Sequence, residues 1–163
     1  MPDRSVTLIA KIQDALDKIQ AKARTLPSPR VLAILSRRQG TLADLTAVGP
    51  DNYLNQILAV TGASNVLAKP GLPRYPHISL ETVIRENPDV ILDLSSMQDS
   101  DAVRQQERPA VLALWGQNSM LKAVQGGHVY FGTSVMVVPG PRAPEAAEML
   151  FDFMHGGNGR GRQ

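Results

Sequence analysis

The run Asp89–Leu94 (DVILDL) constrains this chain more than any other segment. Val90, Ile91, Leu92 and Leu94 make it apolar without alternation, Asn87-Pro88 closes what precedes it, and the polar stretch Ser95–Ser100 follows. A short apolar run lacking a period of two suits a strand buried on both faces of a parallel sheet. Arg30–Ser36 (RVLAILS) is a second run of this type, His128–Phe131 (HVYF) is shorter, and Asn65–Leu67 is a brief candidate. A sheet buried on both faces needs helices on either side, so an α/β fold is expected: a three-layer sandwich around a mostly parallel sheet.

Helical signals lie between these runs. Ser5 is placed to cap a first helix reaching about Arg24, where Val6, Ile9, Leu16, Ile19 and Ala23 paint one apolar stripe. Thr25–Pro29 stops it, because each proline disfavours α geometry in the residue before it. Such a helix followed by a hard stop reads as a connector, which puts a boundary near residue 29. Asp51 or Asn52 opens a second helix whose Leu54, Ile57, Leu58 and Thr61 share a face, and Gly62 ends it. Ser79 caps a short helix closed by Asn87-Pro88. Val103–Trp115 is helical with an expected interruption at Pro109, and Met120–Val124 adds one turn. Arg142–Met154 is the last helix, with Ala146, Met149, Leu150 and Phe153 inward. The tail 156–163 (GGNGRGRQ) is expected to be disordered.

Composition excludes several function classes. The sequence pI of about 9.2 comes from the ends: residues 1–24 carry a net +2 and the tail another +2. Residues 25–159 hold 10 basic and 12 acidic side chains, which is not the electrostatic footprint of a nucleic-acid binder. There is no cysteine, hence no disulfide, thiolate metal site or thiol nucleophile. His77, His128 and His155 are far apart and lack ligand spacing, so no metal site of protein ligands is expected. Neither GxxxxGK[ST], GxGxxG nor GxSxG occurs, and no catalytic residue or cofactor is assigned. Binding rather than catalysis is the expectation. No apolar run has the length of a membrane span, and Lys11 and Asp14 interrupt the stretch a signal peptide would keep apolar. The expectation is a cytoplasmic chain or a piece of something longer.

In α/β folds ligands gather beyond the carboxyl ends of strands, here at Arg37–Thr41, Lys69–Ile78 and Ser95–Ser100. Only seven aromatic residues are present, so their positions inform. Tyr75 stands in a loop between two prolines, an unnatural place for a core residue. Tyr53 opens a helix near the same face. Trp115, in VLALW, reads first as core filler, and Tyr130 beside Phe131 reads as strand packing. Arg37-Arg38 reads equally as solvated loop charge and as a guanidinium fork for an anionic ligand. Glu81 fits a capping box poorly, since the box would make Ile78 the cap.

The run Tyr75-Pro76-His77-Ile78-Ser79-Leu80-Glu81-Thr82-Val83-Ile84, followed by Asn87-Pro88-Asp89-Val90-Ile91, resembles the second lobe of ABC-importer solute-binding proteins for cobalamin, haem and ferric siderophores. Val48-Gly49, Tyr53–Leu58, Gly62–Val66, Trp115, Leu121–Val124, Gly127–Tyr130 and Pro139–Arg142 agree in order and spacing. The likeness spans roughly residues 5–155. It implies a carboxy-terminal ligand-binding lobe at 30–155 preceded by a long interlobe helix at 1–29, with the amino-terminal lobe absent. By that resemblance the full-length protein lies in the periplasm or cell envelope. Its partners would be a metal chelate (cobalamin, siderophore or haem) and an ABC permease subunit. Tyr75 matches a ligand-contacting aromatic and Glu81 a permease-docking glutamate, while Arg74, Arg37, Trp115 and Tyr53 complete the candidate ligand-binding set near the expected cleft. An uncovered lobe surface makes self-association of the isolated lobe an expectation. The other reading is a stand-alone interaction or sensory module built on the same sandwich.

Overall fold

The computed structural model describes residues 3–96, 100–132 and 141–155. Within them the three apolar runs all form strands. These are β1 (Arg30–Ser36), β5 (Val90–Asp93) and β6 (Val129–Phe131). Two further strands, β2 (Leu45–Ala47) and β4 (His77–Ile78), extend the sheet in the order β4-β2-β1-β5-β6, and β3 (Ser64–Asn65) pairs with the start of β1. Parallel pairing joins β1 to β5, β5 to β6 and β1 to β3. Only β2 runs against the rest, since both β1 and β4 pair with it antiparallel.

Alternation along β1 and β5 divides the core in two. Val31, Ala33, Val90, Leu92 and Leu94 face one side, where α1 (Arg4–Ala23), α2 (Tyr53–Val60) and α6 (Ala143–His155) supply Ile19, Leu54, Ile57, Leu58, Ala143, Ala147 and Leu150. Leu32, Ile34 and Ile91 face the other. There α3 (Leu80–Glu86), α4 (Asp101–Gly116) and α5 (Lys122–Gln125) bring Val83, Val111, Trp115 and Ala123. This is the three-layer sandwich, and full burial of such side chains contributes about 1.5–3 kcal/mol each.

Several local expectations are refined. Asp3 rather than Ser5 caps α1: its carboxylate accepts from the Ser5 amide at 3.3 Å, and the Ser5 side chain and then this amide hold the carboxyl below its usual range. The later half of α1 is docked, with Ile19 and Ala23 buried, and a Cβ at Gly62 would stand 3.0 Å from that of Ala23. Asn52 caps α2 and Ser79 caps α3, whose end is the left-handed Asn87 at φ 44°. Pro109 does not interrupt α4. Pro109 and Gln105, the residue whose carbonyl it deprives of a donor, are both exposed, which puts the break in the hydrogen-bond ladder on the helix's solvent side. In α6 the best-buried residues are Ala143, Ala146, Ala147 and Leu150, while Met149 and Phe153 are half-buried. Residues 97–99 of the Ser95–Ser100 loop, Pro139-Gly140 and the tail 156–163 lie outside the described residues.

Candidate functional site

Gly49 organizes the segment that carries Tyr75. After β2 the chain turns at Gly49, whose amide donates to the Arg74 carbonyl at 2.9 Å, continuing the β2–β4 ladder beyond the Ala47–Pro76 bond. The backbones approach so closely that a Cβ on Gly49 would lie 2.3 Å from the Pro73 carbonyl oxygen and 2.9 Å from Pro76 Cδ. Only glycine admits that approach. Asn52 ties the turn from the other side. Its side-chain amide donates to the Gly49 carbonyl at 2.7 Å and to that of Arg74 at 3.4 Å, while its oxygen accepts from Asn55 N at 2.9 Å as the cap of α2. Asn65 adds a donor to the Val48 carbonyl at 2.9 Å.

The result is a rigid display. Pro76 is buried as the anchor, and Arg74 and Tyr75 are presented outward, Tyr75 with 51% of its surface exposed. Two prolines and three backbone-directed bonds hold the segment, so the ring sits in solvent without the ordering cost of a free loop. Tyr53 begins α2 directly after Asn52, which places it beside this turn. It is half-buried against the α1–α2–α6 core, and that burial pushes its phenol above the usual range. Downstream, His77 on the edge strand bonds Thr46 Oγ1 through Nδ1 at 3.1 Å. Ser79 Oγ accepts from Thr82 N at 3.3 Å, leaving Glu81 exposed in the first turn of α3.

Arg37 and Trp115 belong to a different cluster, and here the sequence expectation is corrected. Asp93, at the end of β5, is fully buried. Its Oδ2 accepts from Arg37 Nε at 2.9 Å and from Trp115 Nε1 at 2.8 Å, and its Oδ1 accepts from the Ser95 amide at 3.2 Å and from the Ser95 hydroxyl. Arg37 Nη1 continues to the Thr41 carbonyl at 3.3 Å. The Arg37 side chain is only 7% exposed and its charge is neutralised in place. Trp115 is fully buried. Neither presents a surface to a ligand: Arg37 is a buried ion-pair partner and Trp115 is the core residue its apolar context indicates. The three expected ligand loops are also not one edge. Arg37–Thr41 and Ser95 follow the carboxyl ends of β1 and β5, whereas Arg74–Pro76 precede β4, which runs in the same direction as β1.

A family model described as periplasmic binding protein matches residues 1–136. The chain belongs to the periplasmic binding protein family. Members of this family are transport solute-binding proteins, not enzymes. Among solved structures, a periplasmic binding protein from Veillonella parvula is 28% identical, with a TM-score of 0.73 over 92% of this chain and 50% of its own. An ABC-type Fe3+-hydroxamate transport system protein from Saccharomonospora viridis is 23% identical, with a TM-score of 0.76 over 94% and 50%. A periplasmic heme-binding protein from Roseiflexus is 21% identical, with a TM-score of 0.73 over 95% and 57%. The chain therefore spans about half the length of the solved structures it matches, and the latter two likenesses show the fold alone. A search of curated proteins finds no match.

Within this family fold, the structure brings Arg74, Tyr75 and the start of α2 with Tyr53 to one turn, and it removes Arg37 and Trp115 from the surface. Sequence reasoning missed Gly49 and Asn52 as the frame of that turn, although Gly49-Pro50 beside a helix start was the available signal. It missed Asp93 altogether, because the residue stands inside an apolar run. Among the described residues no group of three or more His, Asp or Glu side chains can hold a metal ion, and no helix is long and apolar enough to cross a membrane.

Proposed function

We propose that this chain is the carboxy-terminal lobe of the solute-binding component of an ABC importer for a metal chelate, with residues 1–29 as interlobe connector and 30–155 as the lobe. The full protein then works in the periplasm or cell envelope and holds cobalamin, a ferric siderophore or haem between two lobes. The observation that carries this reading is the display of Tyr75. In a binding-protein fold, a half-exposed aromatic fixed by Gly49, Asn52 and two prolines is a platform for a flat or cage-like ligand, since a ring contributes large contact area with few rotamers to freeze. The names of neighbours with the same fold, a heme-binding protein and an Fe3+-hydroxamate transport protein, support the ligand class.

Glu81 is the proposed permease contact. It is exposed, stands outside any capping box because Ser79 is the cap, and lies six residues beyond Tyr75. An exposed carboxylate at a rim steers encounter and fixes orientation more than it adds affinity. Isothermal titration of the full gene product with cyanocobalamin, haemin and ferric siderophores tests the ligand class, and binding of at least one is expected. Tyr75→Ala should weaken that binding about tenfold or more. Glu81→Ala should leave the titration unchanged and slow uptake in cells. A protein that binds none of these chelates, or uptake indifferent to Glu81, would remove the respective half of the proposal.

A further inference from the structure

Arg37 and Arg74 were both in the candidate ligand-binding set, and the structure treats them oppositely. Arg37 is buried and spent on Asp93. Arg74 is exposed and pairs with no carboxylate among the described residues. Several other basic side chains of the lobe are paired, although Lys122 and Arg142, like Arg74, have no ion pair among the described residues. Arg30, Arg37, Arg38, Lys69 and Arg104 each have a carboxylate partner. Arg74 stands next to the exposed ring instead, on a backbone pinned at its own carbonyl by Gly49 and Asn52. The whole stretch Lys69–Ile78 contains no acidic residue, and its lysine is tied to Glu86.

From this placement we infer that Arg74 is a specificity-determining residue that selects an anionic chelate, one carrying carboxylates, over a neutral one. The inference rests on the chelate reading above and narrows it. A guanidinium fork matches a carboxylate with two parallel charge-assisted hydrogen bonds, which an uncharged chelate cannot return. The backbone is pinned at the Arg74 carbonyl, so the exposed side chain of Arg74 starts from a set position one residue from Tyr75.

The test uses the full gene product and four probes. Haemin and ferric citrate carry carboxylates; cyanocobalamin and ferrichrome carry no net negative charge. At least one of the first pair should bind more tightly than both of the second. Arg74→Ala should weaken that binding about tenfold, the loss of one charge-assisted contact at a partly solvated site. Arg74→Lys should restore part of it. Raising the salt concentration should weaken the wild type but leave Arg74→Ala nearly unaffected, a response that a loss of shape alone would not give. Preference for the neutral pair, or unchanged affinity and salt dependence in Arg74→Ala, overturns this inference and leaves the chelate reading standing. Failure of all four to bind removes both.

Discussion

Single residues fix two positions, and both are testable by conservative substitutions. Gly49→Ala adds one carbon where the Pro73 carbonyl oxygen stands 2.3 Å away, so the β2–α2 turn or the Pro73–Pro76 segment must shift. The expected loss is about 2–3 kcal/mol, within the range of overpacking a tight site. Ligand affinity should fall with it, because Tyr75 rides on the same segment. Asp93→Asn keeps shape but leaves the Arg37 guanidinium buried and without its counter-charge, at a cost of about 3–5 kcal/mol. Arg37→Met added to Asp93→Asn should recover most of that loss. The pair then carries no buried charge, and the amide oxygen introduced at position 93 can still accept from Trp115. Urea unfolding followed by emission of Trp115, the only tryptophan, reads both. A double variant no more stable than Asp93→Asn would show that the charge pair is not what costs. At this scale the sequence was legible where a residue was out of place and mute where it was hidden. Tyr75 between prolines announced itself as exposed. Asp93 did not announce itself, because an apolar run says nothing about which of its members meets an arginine and a tryptophan across the fold.

Elements followed the sequence where they were long or apolar enough to carry a period. β1 has the expected bounds, and Leu54, Ile57, Leu58 and Thr61 of the second helix all turn inward. β2 and β4 escaped because they are three and two residues long, too short to alternate visibly, and exist only by pairing with each other and with β1. β4 in turn makes a supported edge of a stretch that reads as proline-rich loop. Pro109 shows the reverse, a strong breaker overruled because its helix places it toward water. The α2 cap joins element to site. Asn52→Ala removes the bond to Asn55 N, worth about 1 kcal/mol, and strips the buried Gly49 carbonyl of a donor, which costs about 1–3 kcal/mol more. Asn52→Ser would keep a capping oxygen and lose the donor without burying a charge. Denaturation midpoints should therefore rank wild type first, Asn52→Ser next and Asn52→Ala last; equal midpoints for the two variants would mean that the cap contributes nothing.

At the scale of the molecule, α1 is divided. Its later half is part of the lobe, while its first two turns overhang, with Val6 60% and Ile9 65% exposed and Leu8 also in solvent. Apolar side chains at this density on an amphipathic helix are expected to find cover. The chain spans about half the length of the solved structures named above. For this chain by itself, the exposed Val6, Leu8 and Ile9 lead to the expectation of concentration-dependent association through α1. Light scattering across a hundredfold range of concentration should show the average mass rising. The variant Val6→Glu with Ile9→Glu should hold it at the monomer value. Because residues 4–10 are all exposed, the same variant should unfold at nearly the wild-type temperature. That separation matters physically: an interface built from side chains that support nothing within the lobe can be removed without loss of fold. A fall in mass accompanied by a large fall in unfolding temperature would instead show that the overhang stabilises the lobe, and the division of α1 into docked and overhanging halves would be wrong.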